Sequence, residues 1–318
     1  MAMHKIPDYP IYIGSLLALQ GQRSIKEAGI THILSILRDD VEPRLVADFE
    51  HKQIQLDDDE EEDILGVFNE CFEFIDEGIA KGGNVLVHCI AGISRSGTIC
   101  TAYIMRNEKI SAPEAIEKIR QSRKIVSPND SFREQLDIFE KDGFVVDDTK
   151  EGYRRWKLKK NAELATAAGS APVLKDYSST SEVDGKATEL RCKKCRCPLA
   201  TTNTVIRHEP PTNLPPPNTR AYYEAIKAGP YKTTVGPGMI SIIGQSCMHY
   251  FLEPIRWMQP ELERGELEGK FECPKCKTKV GSYRWQGMKC TCGAWVTPGI
   301  SLQRGRVDEV RPFALPRA

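Results

Sequence analysis

The hydrophobic positions of the first half of the chain follow two alternating patterns. Short β-rich runs at Ile11-Tyr12-Ile13, Ile33-Leu34-Ser35-Ile36 and Gln53-Ile54-Gln55-Leu56 read as strands, and Asn84-Val85-Leu86-Val87-His88 reads as a buried central strand. Between the last two, Ile64, Val67, Phe68, Cys71, Phe72 and Ile75 recur at helical spacing. That segment predicts an amphipathic helix with Cys71 in the core, ended by Gly82-Gly83. Further helices are expected from about Ser96 to Asn107 and over 112–122 and 130–141. Strands alternating with helices predict an α/β domain, a central sheet flanked by helices, over residues 1–148.

The pattern breaks at about residue 149. Arg154, Arg155, Lys157, Lys159 and Lys160 form a basic cluster, followed by a stretch rich in Ala, Ser, Thr and Gly without apolar period. Residues 149–190 are therefore expected to be a linker with at most one helical turn. Residues 191–318 read as a small, mostly β domain. Its Pro210-Pro211 and Pro215-Pro216-Pro217 predict a mobile loop over about 209–237.

Composition narrows the class. A chain of 318 residues with 40% hydrophobic content suits two packed domains. Neither a membrane-spanning apolar run nor the apolar core of a signal peptide is seen, so an intracellular protein without a membrane partner is expected. The net charge is zero, but residues 1–148 carry 16 Lys+Arg and 28 Asp+Glu, a balance of 16 − 28 = −12. Residues 149–318 carry 28 and 16, a balance of +12. A basic half can meet a polyanion; equally, the halves can attract each other or simply stay solvated. Eleven cysteines, odd in number and several of them in close pairs, point to metal or redox chemistry rather than a secreted disulfide framework.

The most informative segment is Val87-His88-Cys89-Ile90-Ala91-Gly92-Ile93-Ser94-Arg95-Ser96-Gly97. It sets a Cys-x5-Arg loop between a buried strand and a helix. In such a loop successive N–H groups of Ile90, Ala91, Gly92, Ile93 and Ser94 can point inward, and the following helix adds its positive end, forming a cradle of phosphate size. The same field favours thiolate over thiol at Cys89 and makes it a nucleophile. Arg95 can grip two phosphoryl oxygens through its planar fork. Gly92 lets the loop bend. Ser96 can hydrogen-bond the sulfur and help it leave, and His88 orients the loop.

This segment resembles the His-Cys-x2-Gly-x2-Arg-Ser loop of the protein tyrosine and dual-specificity phosphatases. Ile11-Tyr12-Ile13-Gly14-Ser15 and Gly29-Ile30-Thr31-His32-Ile33-Leu34 resemble the dual-specificity members, and the likeness spans roughly residues 8–145. It implies hydrolysis of phosphoserine, phosphothreonine and phosphotyrosine on protein substrates, with no cofactor for catalysis. It also implies a general-acid Asp about thirty residues before the Cys. Asp57, Asp58 and Asp59 are the candidates. The family places an apolar residue six positions after the acid, and Ile64 matches Asp58. The loop lacks Trp-Pro-Asp, unlike tyrosine-specific enzymes. Ile90, Ala91, Ile93 and Ser94 are uncharged, where lipid phosphatases of the superfamily carry Lys.

In the second half, Cys273-Pro-Lys-Cys276 and Cys290-Thr-Cys292 look like the two knuckles of a zinc ribbon, with a hairpin of Val280, Tyr283 and Trp285 between them. Cys192, Cys195, His208 and Cys247 form a second expected site, with Cys197 and His249 as substitutes in reach. Two structural zinc ions are thus expected. One phosphatase domain followed by these cysteines resembles a zinc-binding subgroup of dual-specificity phosphatases. Tyr250-Phe251-Leu252-Glu253-Pro254, Trp257-Met258 and Arg306-Val307-Asp308-Glu309 match its pattern. The resemblance implies a role in large ribosomal subunit assembly, with the zinc half contacting pre-ribosomal particles (RNA and protein) in nucleus and cytoplasm.

Overall fold

The structure is a computed structural model that describes residues 2–174, 187–208 and 247–311. It divides into two compact units, Met1–Trp156 and Lys157–Ala318.

The first unit is built on a five-stranded sheet of β1 (Met3–Lys5), β2 (Ile11–Ser15), β3 (Ile30–Ile36), β4 (Glu50–Ile54) and β5 (Asn84–Cys89), in the order β1-β2-β5-β3-β4. β1 pairs antiparallel with β2; the other pairings are parallel. Parallel neighbours require crossovers and coverage of both faces. The first crossover carries α1 (Gln22–Glu27); α2 (Phe68–Ala80), α3 (Arg95–Glu108), α4 (Ala112–Arg120) and α5 (Asp130–Lys141) follow. The expected α/β domain is present, with β5 between β2 and β3, as its apolar run requires: Val85 to Cys89 are all buried. Sequence alone misses β1, a three-residue edge strand whose alternation is too short to register. Cys71, expected in the core, is buried among α2 and the sheet, and its burial raises the thiol pKa above the ordinary range.

The expected linker differs at its start. Residues Glu151–Ala167 form α6, seventeen residues long, and not a single turn. The Asp142 carboxylate accepts from the N–H groups of Gly152 (3.1 Å) and Tyr153 (2.9 Å), so the cap comes from ten residues upstream. Tyr153 and Trp156 belong to the first unit's core, and Leu158 and Ala162 to the second's. Good helix formers with sparse anchors leave no apolar stripe to read. The expected Pro-rich loop at 209–237 lies outside the described residues.

The second unit is mostly β. It contains β6 (Glu189–Cys192), β7 (Pro198–Thr201), β8 (His249–Phe251), β9 (Glu268–Glu272), β10 (Lys279–Arg284), β11 (Met288–Lys289), β12 (Trp295–Val296), β13 (Ser301–Gln303) and β14 (Val307–Val310). These form sheets in the orders β14-β6-β7, β8-β13-β10-β9 and β11-β12. Tyr250, Phe251, Phe271, Tyr283 and Trp285 fill the core with little or no exposure. Among the described residues, no helix is long and apolar enough to cross a membrane.

Candidate active site and metal centres

β5 ends at Cys89 and α3 begins at Arg95, so residues 90–94 turn at the carboxyl end of the central strand and the amino end of a helix. How that loop is held decides which way its peptide groups face. Its carbonyls are tied from outside. Ile90 O accepts from Leu16 N (3.1 Å), and Ile93 O from Ser127 N (3.1 Å). Ala91 O and Gly92 O accept from Nη2 (2.8 Å) and Nε (2.7 Å) of Arg123. With these carbonyls occupied outside and the Gly92 N–H turned to Cys89 Sγ, the loop can offer its N–H groups to an anion, as expected for the Cys-x5-Arg spacing. Gly92 has φ +69°, and a Cβ there would stand 2.4 Å from Gly14 O, so both the turn and the close approach require glycine.

Cys89 lies at the base of the cradle. Its Sγ accepts from Gly92 N at 3.2 Å and lies 3.3 Å from Ser96 Oγ. Just before it, His88 Nε2 lies 2.6 Å from Ser35 Oγ, which in turn lies 2.9 Å from His51 Nε2. Burial lowers the His88 pKa to about 4, so the ring is neutral near pH 7 and serves to fix the strand end. Arg95 is 5% exposed. Its Nη1 donates to Leu56 O at 2.9 Å, while its Nε is buried without a hydrogen-bond partner.

Of the three candidate acids, the structure brings Asp58 to the loop. Its Oδ1 accepts from Ser94 Oγ (2.6 Å) and Asn129 Nδ2 (3.0 Å), and its Oδ2 lies 3.9 Å from Arg95 Nε. Asp57 instead pairs with Arg38 at 2.8 Å, and Asp59 accepts from Glu61 N at 2.8 Å. Sequence reasoning misses Arg123 and Asn129. Arg123 clamps the back of the cradle, and Asn129 holds Asp58 while capping α5 through Phe132 N. Both follow the loop by dozens of residues, and no spacing rule connects them to it.

All eight expected metal ligands assemble, but their grouping is corrected. The groups are Cys192, Cys195, Cys273 and Cys276, and separately His208, Cys247, Cys290 and Cys292. The expected ribbon of Cys273, Cys276, Cys290 and Cys292 does not form, nor does the expected site of Cys192, Cys195, His208 and Cys247. Each close pair sits at the tip of its own hairpin. Cys192 ends β6 and Cys195 lies between β6 and β7, Cys273/Cys276 lie between β9 and β10, and Cys290/Cys292 lie between β11 and β12. At each tip the residue after the second cysteine is left-handed: Arg196 (φ 62°), Lys277 (φ 55°) and Gly293 (φ 94°). The physical reason for the correction is the path of β10. It pairs with β9 and β13, and its six residues carry the chain away from the Cys273 knuckle by roughly 17 Å before the Cys290 knuckle begins. One tip supplies two thiolates, so a tetrahedron needs a second tip or other ligands. His208 and Cys247 come together because Val205 bridges Leu252 and Ile206 N bonds Phe251 O at 2.8 Å.

The donor chemistry fits zinc. Within each group the ligand atoms all lie within 4.8 Å of one another. Cys192 and Cys276 Sγ are 3.7 Å apart, and Cys195 and Cys273 Sγ 3.5 Å. A zinc tetrahedron with bonds of about 2.3 Å has edges near 3.8 Å. His208 turns Nε2 toward Cys247 Sγ at 3.4 Å. Cys197 and His249 stand outside both groups. The clusters can thus hold metal ions such as zinc.

A thiol cradled by inward N–H groups at a helix start, with an arginine and a carboxylate facing it, defines a cysteine-dependent phosphatase. The comparisons with known proteins give the same class. The family model described as dual specificity phosphatase, catalytic domain, matches residues 11–142. The chain is 37% identical to tyrosine-protein phosphatase yvh1 of Schizosaccharomyces pombe, over 95% of this chain and 83% of that protein. It is 36% identical to YVH1 of Saccharomyces cerevisiae, covering 96% and 92% of the two chains. To dual specificity protein phosphatase 12 of Homo sapiens it is 31% identical, covering 95% and 87%. The chain belongs to the dual-specificity protein phosphatases, in the subgroup of yvh1 and dual specificity protein phosphatase 12.

Proposed function

We propose that this phosphatase hydrolyses phosphoserine, phosphothreonine and phosphotyrosine monoesters through a phosphocysteine on Cys89. The observation that carries the reading is the inward-facing loop with Cys89 Sγ at its base and Ser96 Oγ 3.3 Å away. In the first step the Cys89 thiolate attacks phosphorus, the P–O ester bond breaks, and Asp58 donates a proton to the departing alkoxide or phenoxide. The loop N–H groups and Arg95 hold the phosphoryl oxygens as the in-line geometry forms. In the second step water attacks the phosphocysteine, Asp58 takes a proton from it, and the P–S bond breaks. The Ser96 hydroxyl donates to the leaving sulfur. The range of three substrates is what the resemblance to the dual-specificity members supports, and the uncharged loop residues Ile90, Ala91, Ile93 and Ser94 argue against a lipid headgroup.

The assignment of the acid is testable by leaving group. Asp58→Asn should lower kcat on an alkyl phosphate by about 10²-fold or more, and much less on nitrophenyl phosphate, whose phenoxide leaves without protonation. Asp57→Asn and Asp59→Asn should stay near wild type. A selective loss in either of those, with Asp58→Asn unaffected, would move the role.

The second half, with two structural zinc ions, acts in large ribosomal subunit assembly by docking on pre-ribosomal particles in nucleus and cytoplasm. The +12 balance of residues 149–318 and the resemblance to the zinc-binding subgroup support this reading. Contacts to RNA phosphates release counterions, so binding should fall steeply with salt. Pull-downs from cell extract at about 50 and about 200 mM salt check it, using residues 157–318 and residues 1–156 separately. Recovery of the particles by the second fragment, or salt-independent recovery by the first, would contradict it.

A further inference from the structure

An open cleft of about 300 Å3 adjoins the Cys89 loop in the first unit. It is lined in part by Leu16, Asp39, Asp40, Glu42, Asp57 and Ile90, and Arg95 reaches it as well. Its charges are arranged by depth. Arg95 is buried and its Nε has no hydrogen-bond partner, so the cation deep in the cleft is poised for an anion. The carboxylates stand at the mouth. Two of these are already neutralised: Asp57 by Arg38 at 2.8 Å, and Glu42 by Arg44. Asp39 and Asp40 form no close ion pair among the described residues, although Asp39 lies in the field of Arg38, which also lines the cleft but is engaged by Asp57 and Glu62; Asp40 accepts a long 3.5 Å contact from Gln55 Nε2, and both belong to exposed residues. Beside them lie exposed apolar surfaces, Leu16 at 36% and Ile90 at 58% exposure.

A phosphorylated chain entering this cleft places its dianion at the Cys89 loop. Whatever flanks the phosphorylated residue then crosses a negative rim on a unit whose overall balance is already −12 over residues 1–148. An acidic flank, a phosphoinositide headgroup or a nucleic acid meets like charge there, and such juxtaposition opposes binding. A lysine or arginine flank offsets Asp39 and Asp40 and lays its aliphatic stem on Leu16 and Ile90. The geometry points to a substrate class for this phosphatase: phosphopeptides with a basic residue beside the phosphorylated one, selected by Asp39 and Asp40. The inference rests on the phosphatase reading and adds the residues that set its selectivity. It differs from the general-acid assignment, which rests on Asp58 and its bonds to Ser94 and Asn129.

The test uses the full chain and three phosphotyrosine peptides identical except for Lys, Ala or Glu on both sides of the phosphotyrosine, with nitrophenyl phosphate as a substrate that has no flank. Wild type should show kcat/KM falling in the order Lys, Ala, Glu, with about a tenfold span at low salt that narrows as salt screens the exposed carboxylates. The double variant Asp39→Asn/Asp40→Asn should bring that span close to one and leave turnover of nitrophenyl phosphate unchanged, whereas Asp39→Glu/Asp40→Glu should keep the order. Equal rates on the three peptides, a preference for Glu, or a span that survives Asp39→Asn/Asp40→Asn would overturn the inference while leaving the phosphatase reading intact. A wild-type protein inert toward nitrophenyl phosphate would overturn both.

Discussion

Replacing Cys89 by serine should abolish hydrolysis of nitrophenyl phosphate, a loss on the order of 10³-fold or more, while the first unit stays folded. The substitution changes one atom at a position that is 1% exposed, keeps the volume nearly constant, and retains a group that can accept from Gly92 N and face Ser96 Oγ. Packing and loop geometry are therefore preserved. What is lost is nucleophilicity, because a serine hydroxyl is far harder to ionise than a thiol and a poorer nucleophile and leaving group at phosphorus. Vanadate, which takes the geometry of the transferring phosphoryl group, should inhibit wild type. Steady-state assays with circular dichroism on the same preparations check both halves of the statement. Substantial activity in Cys89→Ser would sink the nucleophile assignment.

Removing metal should unfold the second unit and spare the first. Metal analysis should find two zinc ions per chain, and chelation should take away the near-ultraviolet signal of Trp285, Tyr283 and Tyr250, which are packed in the second core. Structural zinc supplies binding free energy on the order of 10 kcal/mol at neutral pH, comparable with the whole folding stability of an ordinary domain. The regrouped ligands sharpen the expectation. Cys192 and Cys276 are 84 residues apart in sequence, and Cys195 and Cys273 are 78 apart, so one tetrahedron closes about half of the unit into a loop. A fragment covering only residues 266–311 carries both knuckles of a would-be ribbon, yet it should not form a stable zinc domain, because each knuckle lacks its partners. Cys192→Ala in the full chain should release one zinc and leave the His208 site's ligands complete. A fragment that binds one zinc tightly through Cys273, Cys276, Cys290 and Cys292 would restore the ribbon and contradict the structure.

The contrast between the two halves shows what a sequence can carry. The Cys89 loop is legible because its parts are contiguous: strand, turn and helix start follow within a dozen residues, and the chemistry depends on that order. The metal ligands are legible as types, since close cysteine pairs have few other uses, but their grouping depends on which hairpin tips face each other. That is decided by the pairing of β10 with β9 and β13 and by the bridge from Val205 to Leu252. Arg123 and Asn129 were illegible for the same reason: each reaches the loop through the packing of a later segment. Helix α6 was missed because its core contacts are few, Tyr153, Trp156 and Ala162, and its capping carboxylate comes from Asp142.

The central claim is that phosphoryl transfer passes through the sulfur of Cys89. Reacting wild type and Asp58→Asn with nitrophenyl phosphate, whose leaving group needs no acid, quenching within milliseconds, and mapping the phosphate by mass spectrometry tests it directly. The account predicts a phosphoryl group on the peptide containing Cys89, accumulating more in Asp58→Asn because the attacking water there lacks its base, and absent from Cys89→Ser. Turnover with no phosphorylated enzyme at any time point, or phosphate carried on another residue, would contradict it.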